Sequence, residues 1–243
     1  MQKEQASADP RLVLCWRAAV SAFVLAALTG AAFRATIAWG LDSGSTLTNL
    51  RHAHSHLMFF GWVTPAILTL IAASLPRLTG RPLRRGLVRA IGAAVVLGML
   101  SHPAFALFGY APVAVGGARI PPSVIVAGLN MIAWYAFAIG YARMTWGVRR
   151  GVALFAWDLA LSVLALSTLA AWTLPILRPL GLDPARWMPV LVHAFLDPFV
   201  EGWLPLALLG LLLAARPRPA GSERRLELIA IAVGAPLAFG LTA

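Results

Sequence analysis

The residues that could carry chemistry are histidines and acids placed inside strongly apolar segments. All five histidines of the chain lie in such segments. The set comprises His52, His54, His56, His102, His193, Asp197 and Glu201. Ionisable groups inside a membrane span are costly and mark functional sites by default. Because imidazole is the commonest protein ligand of metal ions and a frequent ligand of haem iron, these positions predict a metal or haem site.

The spacing of the first three histidines predicts that they act separately. At 100° per residue, His52 and His56 share one helical face, whereas His54 points nearly opposite. The three therefore cannot form one three-ligand site on a regular helix. His102 precedes Pro103, and it either takes part in the site or only satisfies backbone groups freed by the proline.

The later group follows intervals of four residues. His193, Asp197 and Glu201 are predicted to form one stripe facing the bundle interior, because each lipid-facing charge would cost roughly 2.5–3.5 kcal/mol. Pro198 removes a backbone hydrogen bond and predicts a kink beside Asp197. In such a stripe Asp197 and Glu201 would serve as metal ligands or proton carriers in catalysis, and His193 as a metal ligand. The alternative is that both acids are purely structural.

Composition determines the kind of protein that holds these residues. Of 243 residues, 60% are hydrophobic and 12% charged, with a mean hydropathy of +0.79, which excludes an ordinary soluble domain. We predict an all-α polytopic membrane protein, with about seven helices in one bundle and a single integral membrane domain over 1–243. The predicted spans are 16–38, 53–75, 88–110, 121–142, 152–174, 187–214 and 226–243. This pattern shows no internal repeat with the helical spacing of a transporter.

The basic residues predict the orientation of the chain. Fifteen of the 20 Lys and Arg residues lie at one set of alternating segment ends, and five at the other. By the positive-inside rule the N-terminus is cytoplasmic and the C-terminus periplasmic, in a bacterial inner membrane. No basic face for nucleic acid is present, and the single Cys15 excludes a disulfide framework.

Two segments resemble helices of a known family. The string from His54 through Met58 to Pro65 resembles the second helix of the haem–copper oxidase catalytic subunit, where this histidine ligates the low-spin haem. The string from His193 to Glu201 is similar to a helix of the nitric oxide reductases, where the histidine binds the non-haem metal and an acid follows eight residues later. Because no histidine follows His193, the resemblance implies a short, divergent relative with one haem or one metal.

These observations lead to one hypothesis and two alternatives. The first is a haem- or copper/iron-binding membrane protein in respiratory electron transfer or nitric oxide chemistry, with His54 and His102 binding the cofactor and His52, His56 and His193 binding metal. The second is a non-haem metal-dependent membrane enzyme that uses His102, His193, Asp197 and Glu201. The third is a non-enzymatic carrier, sensor or assembly factor for metal or haem. Expected partners are the lipid bilayer, other respiratory or copper- and haem-handling subunits, and a second copy of the chain.

Overall fold

The computed structural model describes residues 9–40, 47–215 and 223–242. Its helices are α1 (Pro10–Trp39), α2 (Leu47–His56), a first π-helix (Leu57–Val63), α3 (Thr64–Thr79), α4 (Arg85–Phe108), α5 (Pro122–Thr145), α6 (Val152–Thr173), a 3₁₀ turn (Leu174–Ile176), α7 (Pro184–Asp197), a second π-helix (Pro198–Trp203), α8 (Leu204–Ala215) and α9 (Glu223–Thr242). The side chains of 223, 224 and 235–242 are outside the description.

The helices confirm an all-α polytopic membrane protein. Among the described residues, six helical segments are long and apolar enough to cross a membrane, and they coincide with the first six predicted spans. Two of them are composite. The second span runs continuously over Leu47–Thr79, and the sixth over Pro184–Ala215. The seventh predicted span corresponds to the 20-residue helix α9.

A π-helix interrupts each composite span, and nearby prolines explain why. Pro65 and Pro205 have no N–H, so the carbonyls of Gly61 and Glu201 lose their α-helical donors. The backbone widens instead, and each π-helix ends with an N–H donated five residues back, from Thr64 to Phe59 and from Leu204 to Phe199. The kink predicted at Pro198 is thus a π-helix that begins at that residue.

A short β-hairpin links α4 and α5, and the sequence analysis had not predicted it. Strands β1 (Val113–Val115) and β2 (Ala118–Ile120) pair antiparallel around Gly116 and Gly117. Both glycines have positive φ, 55° and 84°, which is what a two-residue primed turn requires.

Contacts divide the chain into two compact units, Met1–Met144 and Thr145–Ala243. In the first unit, α1, the second span and α4 pack together, with Ala22, Ala26 and Leu57 in the core. Helix α5 joins them where Asn130 donates to the carbonyl of Ala94, 2.9 Å away, and Trp134 packs on Phe60.

The second unit consists of α6, the sixth span and α9 in mutual contact. Trp157 of α6 is buried against α8 and donates from Nε1 to the carbonyl of Ala207 at 3.2 Å. Asp158 of α6 forms an ion pair with Arg150, whose Nε lies 2.7 Å from Oδ2 of the carboxylate.

Candidate functional site

His54 is held against α1 by a hydrogen bond to the backbone. Its Nδ1 lies 2.8 Å from the carbonyl oxygen of Ala26. A carbonyl can only accept, so Nδ1 carries the proton and Nε2 keeps a free lone pair. Gly30 lies under the same ring: a Cβ added there would stand 2.7 Å from Cε1 and 2.9 Å from Nδ1 of His54. The imidazole therefore occupies space that only glycine leaves open.

His102 reaches the same helix from α4. Its Nε2 lies 2.9 Å from the hydroxyl oxygen of Thr29, and that hydroxyl lies 2.8 Å from the carbonyl of Leu25. Because the single hydroxyl proton goes to the carbonyl, Thr29 accepts from His102. Nε2 of His102 is thus protonated, and its Nδ1 keeps the lone pair.

The two imidazoles meet one face of α1. Ala26 and Thr29 are three residues apart and neighbours on the helix surface, so His54 and His102 contact α1 within one turn of each other. Both rings are half-buried. We call Ala26, Thr29 and Gly30 with the two histidines the imidazole site.

His52 and His56 occupy the opposite face, as their spacing predicted. Nδ1 of His56 donates to the carbonyl of His52 at 2.9 Å. The ring of His56 stacks on Phe105 with centroids 3.7 Å apart, and His52 packs edge-on against Tyr110 at 4.8 Å. Although 51% of Tyr110 is exposed, desolvation raises its pKa to about 12 against the opposing charge of Arg51, so its hydroxyl is neutral at physiological pH.

The stripe predicted in the sixth span is only partly formed. His193 and Asp197 lie on one face, with Nδ1 and Oδ1 3.4 Å apart. However, His193 and Glu201 are exposed rather than interior, which corrects the expectation of a buried stripe. For Glu201 the physical reason is the second π-helix, because its wider turn starts at Pro198 and rotates the acid away from the α-helical register that the prediction assumed. His193 precedes this turn, on α7.

The structure therefore brings together pairs rather than a larger cluster. Over the described residues, no three His, Cys, Asp or Glu side chains stand close enough to hold a metal ion. The joint metal centre of His102, His193, Asp197 and Glu201 in the second hypothesis stays a prediction, because His102 belongs to the first unit and the other three residues to the second. Among the described residues of the first unit, His52 and His56 have no third such ligand. The roles of Ala26, Thr29 and Gly30 could not be predicted from the sequence alone. A threonine–glycine pair inside an apolar helix was the only available signal.

Comparisons with known proteins add no assignment. No family model, no curated protein and no solved structure matches this chain.

Proposed function

We propose that the protein is an integral membrane haem protein in which His54 ligates the iron and His102 is the second imidazole of the same site. One observation carries the proposal: a ring nitrogen of each imidazole lies within 2.9 Å of a hydrogen-bonding oxygen of α1. In the neutral ring this bond takes up the one N–H and leaves the other nitrogen with its lone pair. Iron-binding histidines have this arrangement, because the hydrogen bond fixes the tautomer and ring orientation and raises the basicity of the ligating nitrogen.

The donor set fits haem better than a free metal ion. Protein sites for zinc and similar ions use three or four side-chain ligands, whereas haem iron needs only one or two. The described part of the chain offers no group of three. Bound haem would supply one-electron redox chemistry. The protein would hold the ligand rings through Ala26 and Thr29 and surround them with apolar helices.

The physiological setting is part of the proposal. The resemblance of the His54 segment to haem–copper oxidases supports a role in respiratory electron transfer or nitric oxide chemistry. The distribution of Lys and Arg supports a bacterial inner membrane with the N-terminus in the cytoplasm. Other respiratory or haem-handling subunits and a second copy of the chain are the partners that this role would require.

The test is the visible spectrum of the protein purified in detergent, before and after adding haemin. We expect a Soret band at near-stoichiometric intensity. His54→Ala should abolish it, His102→Ala should shift or weaken it, and His52→Ala should leave most of it. A colourless protein that does not take up haemin would refute the proposal, as would an unchanged spectrum in His54→Ala. A substoichiometric haem that exchanges readily would indicate a carrier instead.

A further inference from the structure

Identical residues recur at one spacing within the two composite spans and in the segments that flank them. Each of the following pairs is separated by 141 residues: Trp16 and Trp157, Ser21 and Ser162, Gly40 and Gly181, Asp42 and Asp183, His52 and His193, Ala53 and Ala194, Gly61 and Gly202, Trp62 and Trp203, Pro76 and Pro217, Gly80 and Gly221. Histidine and tryptophan are rare here, 5 and 9 of 243 residues, so matching His and Trp pairs at one spacing are not expected by chance.

The backbone repeats independently of these identities. Gly40 and Gly181 both adopt left-handed φ, 62° and 71°, before a composite span. The two π-helices start at Leu57 and Pro198, again 141 residues apart. Within the first unit, every helix contact among α1, α2, the first π-helix, α3 and α4 has a counterpart among α6, α7, the second π-helix, α8 and α9.

We propose that residues 10–108 and 152–242 are two copies of one three-helix unit, and that Gly30 and Thr29 are positioning residues of an imidazole site built only in the first copy. The second copy has Phe195 in place of His54, Ala171 in place of Gly30 and Ala170 in place of Thr29. His54, Gly30 and Thr29 are therefore present together in the first copy, and all three are replaced at the matching positions of the second.

The physical roles follow from the contacts. Gly30 gives His54 access to the carbonyl of Ala26, since a Cβ at residue 30 would overlap the ring. Thr29 fixes which nitrogen of His102 is protonated. The duplication does not depend on any cofactor. The positioning roles of Gly30 and Thr29 rest on the proposed haem function only for the identity of the ligand that the imidazoles bind.

The second copy supplies substitutions that its own helices already accommodate. We expect Gly30→Ala to displace His54 and shift the Soret and α bands or cut haem content at least severalfold. Gly92→Ala is the matched control, because a Cβ there meets nothing within 4 Å. The triple variant Gly30→Ala/Thr29→Ala/His54→Phe should fold, stay monodisperse and bind no haem.

Histidine-ring NMR of the haem-free protein separates this proposal from the proposed function. Gly30→Ala should move the His54 ring resonances, and Thr29→Ala those of His102, even if the wild type never binds haem. Unchanged ring resonances together with unchanged spectra would overturn the positioning roles. A triple variant that aggregates, while the Gly92→Ala control folds, would overturn the equivalence of the two copies.

A second, independent observation is a cavity of about 450 Å³ between α4 and α5. Two exposed arginines, Arg84 and Arg143, line it beside an apolar wall of Leu87, Ala136 and Ile139. No carboxylate in the described part of the chain forms an ion pair with either arginine. Arg84 and Arg143 belong to the arginine-rich set of segment ends. If that side is cytoplasmic, anionic lipid headgroups contact the protein there.

We infer that this cavity binds the phosphate headgroup of an anionic phospholipid, and that an acyl chain of the same lipid packs along the apolar wall. In detergent, phosphatidylglycerol should raise the thermal unfolding temperature, while phosphatidylcholine with the same chains and inorganic phosphate should not. Arg84→Gln/Arg143→Gln should weaken the lipid response roughly tenfold, because basic residues near an anionic surface each contribute appreciably. Arg85→Gln/Arg89→Gln is the matched control, because both are exposed arginines of α4 that do not line the cavity.

Each remaining outcome contradicts this lipid site. Equal stabilisation by phosphatidylcholine would show that charge is not recognised. Equal stabilisation by inorganic phosphate would identify a simple anion site instead of a lipid site. A full response in Arg84→Gln/Arg143→Gln would place lipid binding elsewhere on the protein.

Discussion

The Nδ1 atom of His54 lies 2.8 Å from the carbonyl oxygen of Ala26, in the middle of a neighbouring transmembrane helix. Within that helix the carbonyl already faces the N–H of Gly30, four residues on. A second donor can reach it only because residue 30 has no side chain. The hydrogen bond joins two helices, satisfies an imidazole N–H inside the membrane and determines which nitrogen of the neutral ring keeps its lone pair.

The hydroxyl of Thr29 should stabilise the His102 tautomer that has its proton on Nε2. Thr29→Val keeps the shape and removes the acceptor, leaving an imidazole N–H unpaired, so we expect a loss of about 1–3 kcal/mol in the free energy of unfolding. Thr29→Ser keeps the hydroxyl and should retain most of the stability. Thermal or denaturant unfolding in mixed micelles measures both. Equal stability of the Val and Ser variants would show that the hydroxyl bond is unimportant.

The close approach of α4 to the first π-helix should tolerate no side chain at residue 98. A Cβ at Gly98 would stand 2.6 Å from the backbone nitrogen of Gly61 and would also overlap the carbonyl oxygen of Phe60. Backbone atoms of a π-helix cannot rotate aside, so α4 would have to move. We expect Gly98→Ala to cost about 1–3 kcal/mol or more by overpacking, against little change in Gly92→Ala. A fully stable Gly98→Ala protein would show that α4 and the first π-helix are less tightly packed.

The sequence predicted the fold well where hydropathy alone decides it. Span number and span positions follow from apolar length, and the opposite faces of His54 and His56 follow from helical geometry. The π-helices could not be predicted this way, because regular 100° spacing was assumed across prolines that remove backbone donors. That assumption placed Glu201 in line with Asp197, whereas the second π-helix separates them.

Neither the imidazole site nor the proposed repeat was predicted from the sequence, and the reasons differ. Gly30 and Thr29 belong to another helix, so only tertiary contact reveals that they hold His54 and His102. The identical residues of the proposed repeat are dispersed among interchangeable apolar residues, and α5 separates the two copies in the sequence. It becomes visible when Gly40 and Gly181 share left-handed φ and both composite spans contain a π-helix at the same place.

Membrane orientation should follow the arginine distribution. In a Cys15→Ser background, cysteine at Val115, exposed in the hairpin, should react with an impermeant maleimide added to intact cells. Cysteine at Trp146, which is 78% exposed beyond the end of α5, should react only after the membrane is opened. These two sites flank α5, so the pair forms its own control. Labelling of Trp146→Cys alone in intact cells would reverse the predicted topology.

The ion pair between Arg150 and Asp158 should contribute a small, salt-dependent stabilisation to the second unit. The Nε and Oδ2 atoms are 2.7 Å apart, but both side chains remain about one-third exposed, at 36% and 30%. Solvent screening therefore limits the contribution of the pair to about 1 kcal/mol or less. Arg150 also donates from a guanidinium nitrogen to the carbonyl of Thr145 at 2.7 Å, so removing the acid alone leaves that bond in place.

We expect Asp158→Asn to lower the free energy of unfolding slightly at low salt and to match the wild type at high ionic strength. Asp183→Asn is the control, because it removes an exposed acid while keeping an oxygen that can cap α7. A salt-independent loss in Asp158→Asn would show that the carboxylate acts through buried hydrogen bonds rather than through its charge.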